Sequence, residues 1–183
     1  MKYTSEIFQR LSRGQFISSN SIDAATRAIY NDIEENQQEY EDYFSQIDFY
    51  LSSGDGFYYF SRKEAKVIIE NKLQSLFSWI DYLDFLKTYD TAFDAGTQFS
   101  LVQMEVKLST IPGLKEKLAQ MFPDKPSNRQ KLEALAGALE NMGFAELVNE
   151  TDSTYQVTNA FHYIEQIILC INIDEDVKDE IPQ

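Results

Sequence analysis

The 183-residue sequence has one cysteine, one histidine and little positive charge: 16 Lys and Arg stand against 30 Asp and Glu, a formal charge of −14. Each shortage excludes something. A lone Cys forms no internal disulfide, and one Cys with one His cannot build a four-ligand zinc site of the usual kind. Scarce Lys and Arg argue against a partner held mainly through phosphates, because affinity for nucleic acid comes from cations that displace counterions. No apolar run reaches 18 residues, and Met1 to Arg13 mixes charges among Ile7, Phe8 and Leu11, so neither a membrane span nor a signal peptide is expected. These features predict a reduced cytoplasmic protein without metal or cofactor. Apolar side chains are plentiful, at 43 % of residues with 13 Phe and 11 Tyr, enough for a packed core and against disorder as the reason for the charge.

The order of elements is more informative than the composition. Ile7, Phe8 and Leu11 recur at helical spacing, and Gly14 stops them. After the short apolar pair Phe16-Ile17, the polar run Ser18-Ser19-Asn20-Ser21 is expected to cap a second helix that buries Ala24, Ala25, Ala28 and Ile29. A third helix is expected over about 34–46, with Tyr40, Tyr43, Phe44 and Ile47 as its apolar stripe. Phe49-Tyr50-Leu51 and Phe57-Tyr58-Tyr59-Phe60 around Gly54-Asp55-Gly56 then predict a β-hairpin. Three helices and a hairpin make the order of a winged-helix domain, with Phe16-Ile17 in the place of its small first strand.

From about Arg62 to Phe93 no Pro or Gly interrupts a helical pattern. Ile69, Leu73, Leu76, Ile80 and Leu83 form one apolar stripe, and Trp79, Tyr82, Leu86 and Tyr89 another, so this helix must be covered on more than one side. Leu76, Trp79, Ile80, Tyr82, Leu83 and Leu86 are the candidates for a dimer or inter-domain interface. The order then repeats: a helix over Phe99 to Leu108, a second beginning near Pro112, a third capped by Ser127 and ended by Gly143, a hairpin over 145–158, and a last helix from Asn159 to Cys170. The expected fold is mainly α with small β-hairpins, two tandem winged-helix domains joined by a long helix. The N-terminal domain with its connecting helix spans 1–93, the C-terminal domain 94–173, and an acidic tail 174–183.

The candidate sites are few. In a DNA-reading winged helix the third helix enters the major groove. Between Arg27 and Arg62 there is no Lys or Arg, while Asp32, Glu34, Glu35, Glu39, Glu41, Asp42, Asp48 and Asp55 are all acidic, so the first third helix is no recognition helix. The second carries Arg129 and Lys131 after Lys125, a candidate DNA contact whose alternative is a solvated helix face. By count, 1–93 holds 9 basic and 15 acidic residues, and 94–183 holds 7 and 15. His162 has no triad pattern around it, Cys170 ends an apolar run as an inert thiol, Gly54-Asp55-Gly56 lacks the Lys-Ser/Thr of a phosphate loop, and the pairing of Glu34 with Glu35 says little in so acidic a chain.

The run from Glu6 to Ile17 (EIFQRLSRGQFI), then Ile29-Tyr30, Tyr40 to Ile47 (YEDYFSQI), Leu51 and Gly56 to Phe60 (GFYYF), resembles the amino-terminal half of the MukE and MksE subunits of bacterial condensin-like complexes, the kleisin-interacting tandem winged-helix proteins. The resemblance covers about residues 6 to 61. It implies a non-enzymatic, homodimeric, nucleoid-associated subunit that binds a kleisin, which joins the heads of an SMC ATPase, in chromosome organisation and segregation or in plasmid defence. DNA would be touched only weakly or within the complex. Phe57 and Tyr59, expected exposed beside the hairpin, are the candidates for docking the kleisin. The competing reading is a winged-helix transcription regulator working through Arg129 and Lys131.

Overall fold

The computed structural model describes residues 1–61 and 66–169, and for 66–75 the helical backbone alone. The side chains of Ile69 and Leu73, the thiol of Cys170 and the tail 174–183 lie outside the described residues.

Helix α1 (Thr4–Leu11) buries Ile7 and Leu11 and leads into strand β1 (Ile17–Ser18). Helix α2 (Ala24–Glu35) starts at Asp23, whose carboxylate accepts hydrogen bonds from the Ala25 and Thr26 amides. Two expectations are corrected here. The cap is Asp23 and not the Ser18–Ser21 run, and the buried face is Thr26, Ile29 and Ile33, with Ala24, Ala25 and Ala28 exposed. Thr26 is buried because its hydroxyl is satisfied, accepting from Arg10 Nη1 at 2.6 Å and donating to Asp23 Oδ2 at 2.7 Å. Helix α3 (Gln37–Ser45) is separate from α2 because Asn36 leaves helical geometry and its side-chain amide takes the Asp32 carbonyl at 2.9 Å. The expected start at 34 is thus three residues early. Tyr40 and Phe44 are buried, whereas Tyr43 and Ile47 are exposed.

Strands β2 (Tyr50–Gly54) and β3 (Phe57–Ser61) form the expected hairpin, and β1 pairs antiparallel with β3 in a sheet of order β1-β3-β2. Alternation along β3 sends Tyr58 toward a core of Ile7, Leu11, Ile17, Ile29, Ile33, Tyr40, Phe44 and Leu51. Phe57 points the other way, into the larger core of the second half.

Helix α4 (Lys66–Tyr89) leads to strand β4 (Gln98–Ser100) and helices α5 (Leu101–Lys107), α6 (Leu114–Gln120) and α7 (Asn128–Met142). Strands β5 (Ala145–Asn149) and β6 (Thr154–Val157) follow, then helix α8 over 161–169. The helix expected from Phe99 therefore begins at Leu101. Phe99 belongs to β4 because it pairs with Tyr155 in the ladder, and their rings stack at 5.5 Å. The second sheet has the order β4-β6-β5, again with the first strand against the third. Mixed α/β structure, mainly helical with two small antiparallel sheets, is the observed class.

Candidate functional site

Residues 18–22, read from the sequence as a helix cap, tie the first half to the second. The Ser21 hydroxyl and the Ile22 amide both donate to the Glu146 carboxylate on β5, each at 2.6 Å. The Asn20 side chain donates to the Val157 carbonyl at 3.2 Å and accepts from the Asn159 amide at 2.8 Å. The Asn159 side chain donates to Ser19 Oγ at 2.9 Å, and the Ala160 amide to Ser18 Oγ at 3.3 Å. The first hairpin turn closes onto the same seam. Gly56 has φ +77°, and a Cβ on it would sit 2.3 Å from Asn159 Nδ2, so a residue without a side chain is required for both conformation and approach. Beside the seam lies a groove of about 430 Å³ between the halves, lined by Arg10, Asp23, Thr26, Glu140, Glu146 and Leu147 among others.

The candidate docking residues Phe57 and Tyr59 sit on the apolar side of this seam. Phe57 is 1 % exposed, which corrects the expectation of an exposed aromatic, and Tyr59 is half-buried. Phe16 lies 5.7 Å from each ring, and Tyr163 of α8 lies 4.9 Å from Tyr59. This chain's own α8 and Phe16 cover that face. The α4 candidates also face inward to different degrees. Trp79 meets Phe144 at 5.2 Å and Tyr82 stacks on Phe122 at 5.0 Å. Trp79, Leu83 and Leu86 are buried, Leu76, Ile80 and Tyr82 half-buried, and Phe77 is 64 % exposed.

The candidate DNA contacts are spoken for. Lys131 is only 8 % exposed, and its ammonium donates to the Ala119 carbonyl at 2.7 Å and the Met121 carbonyl at 2.6 Å. It closes the C-terminal end of α6, where helix carbonyls lack partners, so it is neither a DNA contact nor part of a solvated face. Arg129 pairs with Glu133 at 2.8 Å and donates to Ser153 Oγ at 2.9 Å, and Lys125 pairs with Asp124 at 3.0 Å.

A family model described as condensin complex protein MksE matches residues 2–168, through both halves and the seam between them. The chain belongs to the MksE family. No curated protein matches it. Whereas the sequence resemblance was carried by residues 6 to 61, MksE membership extends across the α4 connection and the second hairpin.

Within this MksE chain, His162 on α8 bonds Asp94 at 2.9 Å, and Lys87 of α4 pairs with Glu165 at 2.8 Å. Burial alone pushes the Asp94 carboxyl up, but the Ala95 amide and His162 outweigh it and hold it below the ordinary value. Asp94, His162 and Glu165 present ligand atoms within 4.8 Å of one another, the one such His and carboxylate group among the described residues. Their partners are already in place, so the group ties α8 to α4 and the loop after it through the Asp94–His162 hydrogen bond and the Lys87–Glu165 ion pair. No helix among the described residues is long and apolar enough to cross a membrane. The features that sequence reasoning missed, Glu146, Asn159 and the Lys131 cap, leave no local signal, because each finds its partner far along the chain or in another helix.

Proposed function

We propose that this condensin-complex protein is a non-catalytic accessory subunit of a bacterial SMC complex, a homodimer that binds the kleisin joined to the SMC ATPase heads. The observation that carries this reading is the MksE match over residues 2–168. Its role is chromosome organisation and segregation or plasmid defence, within the nucleoid-associated complex of the cytoplasm. The repeated order of helices, first strand and hairpin, with the first strand against the third in each sheet, supports a tandem winged-helix reading. The domains are then 1–93 and 94–173. Half-buried Leu76 and Ile80 beside exposed Phe77 are the part of α4 left for a second copy, while Trp79, Leu83 and Leu86 hold the helix on its own chain.

The transcription-regulator reading loses its main residue, since Lys131 faces inward. DNA is met weakly or inside the assembly. Light scattering of the purified chain, and co-purification with the kleisin and SMC subunits of the same bacterium, test the proposal. A dimer that brings down both subunits is the expected result. A strictly monomeric chain that leaves the kleisin unbound overturns it.

A further inference from the structure

Tyr43, Ile47 and Tyr50 are 46 %, 49 % and 43 % exposed, three large apolar side chains within eight residues. Single exposed apolar residues are ordinary, but a concentration of them marks contact surface. Tyr43, in the last turn of α3, and Ile47, in the turn just after it, flank Phe44: the Tyr43 ring meets the Phe44 ring edge-on at 5.3 Å, and the Ile47 amide donates to the Phe44 carbonyl. Since Phe44 is fully buried, this turn is anchored in the core and its outer residues are held outward. Tyr50 opens β2 directly after it.

The charges around this patch identify what covers it. Some acids elsewhere find cations, Asp23 with Arg10, Asp84 with Lys117, Asp124 with Lys125, Glu133 with Arg129 and Glu165 with Lys87, and others such as Glu116 and Glu150 find none among the described residues. What sets this stretch apart is that no Lys or Arg lies between Arg27 and Arg62. Among the described residues, Glu41, Asp42 and Asp48, the acids next to the patch in sequence, have no cationic partner, and Glu39 meets only the chain's own amino terminus, at 3.9 Å. We propose that the apolar end of α3, Tyr43 and Ile47 with Tyr50, is the docking site for a basic amphipathic segment of a protein partner in the complex. A second copy using the same face would set acid against acid, because a two-fold contact is self-complementary. Nucleic acid and anionic membrane carry the wrong sign. A segment with Lys and Arg around an apolar anchor satisfies both the patch and its rim.

The inference rests on the reading of the chain as a complex subunit, and its test separates the two. Binding of the full-length chain to its kleisin is measured by calorimetry for wild type, Tyr43→Ser with Ile47→Ser, and Glu39→Lys with Asp42→Lys. All four positions are exposed, so thermal melting checks that the variants fold. At least tenfold weaker binding is expected for both pairs, with a shallower salt dependence for the charge-reversed one. Wild-type affinity in both variants overturns the docking site and leaves the subunit reading intact. If wild type binds no kleisin, the subunit reading fails, and amide NMR shifts on adding a synthetic Lys/Leu amphipathic peptide decide the surface. Shifts centred on 43–50 that vanish in Tyr43→Ser with Ile47→Ser support it, and shifts elsewhere or none overturn it.

Discussion

Replacing Lys131 with methionine separates a structural lysine from a DNA-binding one. Met preserves the stem length and apolar packing but removes the donor that closes α6. The Met121 carbonyl is in a buried bond and loses its partner outright, while the Ala119 carbonyl is partly open and water replaces much of what is lost. A hydrogen bond to a charged group contributes about 1.5–3 kcal/mol, so the buried bond at about 2 and the open one at about 1 sum to about 3 kcal/mol. Relief from holding an ammonium at 8 % exposure returns about 1, leaving a net loss of about 2 kcal/mol. For a chain of this size that is a fall of about 4–8 °C in Tm. Urea and thermal unfolding followed by circular dichroism measure it, with Lys125→Met and Arg129→Met as exposed controls expected to lose under about 1 kcal/mol each. Lys131→Met within about 0.5 kcal/mol of wild type, with loss of any DNA binding, would refute the reasoning and restore the nucleic-acid reading.

Glu146→Ala removes two short bonds across the half-exposed seam and should cost about 1–2 kcal/mol, with faster amide hydrogen exchange at Ser19–Ile22 as the local readout. Unchanged exchange there would mean that the Glu146 bonds do not hold this segment, leaving it to the Asn20 and Asn159 bonds and apolar contact. Gly56→Ala should destabilise more than an ordinary turn substitution, since strain at φ +77° adds to the clash with Asn159, and pairing it with Asn159→Ala should recover part of the loss. Burial first, then the hydrogen bond to Asp32, pushes the Tyr40 phenol up to about 12, and burial likewise lifts Tyr58 to about 12. Because the unfolded phenols ionise near 10, their contribution is complete below that pH and is lost as pH rises toward 12. Tyrosinate absorbance in a pH titration should show these two ionising last, together with unfolding, and early ionisation of both would contradict their burial.

Much of the fold was legible because it is written in local patterns. Ile7 and Leu11 are buried where helical spacing put them, and Ser127 and Gly143 cap α7 as their residue types predict. The losses came where a residue satisfies itself at long range. Ser18–Ser21 has the composition of a cap, but its hydroxyls and the Asn20 side-chain amide meet partners more than 120 positions away. Phe99 looks helical until its pairing with Tyr155 is known. Lys131 lies at a position that charge patterning assigns to solvent, and only the approach of the α6 end turns it inward. Phe57 shows how a strand with aromatics on both faces hides which face is covered, since alternation gives two faces and not their neighbours. The candidate surfaces were the least legible part, because exposure is a property of the assembled halves.

The seam between Ser18–Ile22 and the second hairpin has a consequence for assembly. With Glu146 and Asn159 fastening the halves, positions on one are set at a fixed distance from positions on the other. A partner touching both would meet them as a rigid ruler and not as two beads on a string. Its second contact would then form at an effective concentration set by geometry, with no linker entropy to spend, provided that its own binding segments have the matching span. A partner with the wrong span would gain nothing from the second contact. Selectivity among complex partners would in that case reside in spacing as much as in the chemistry of either surface.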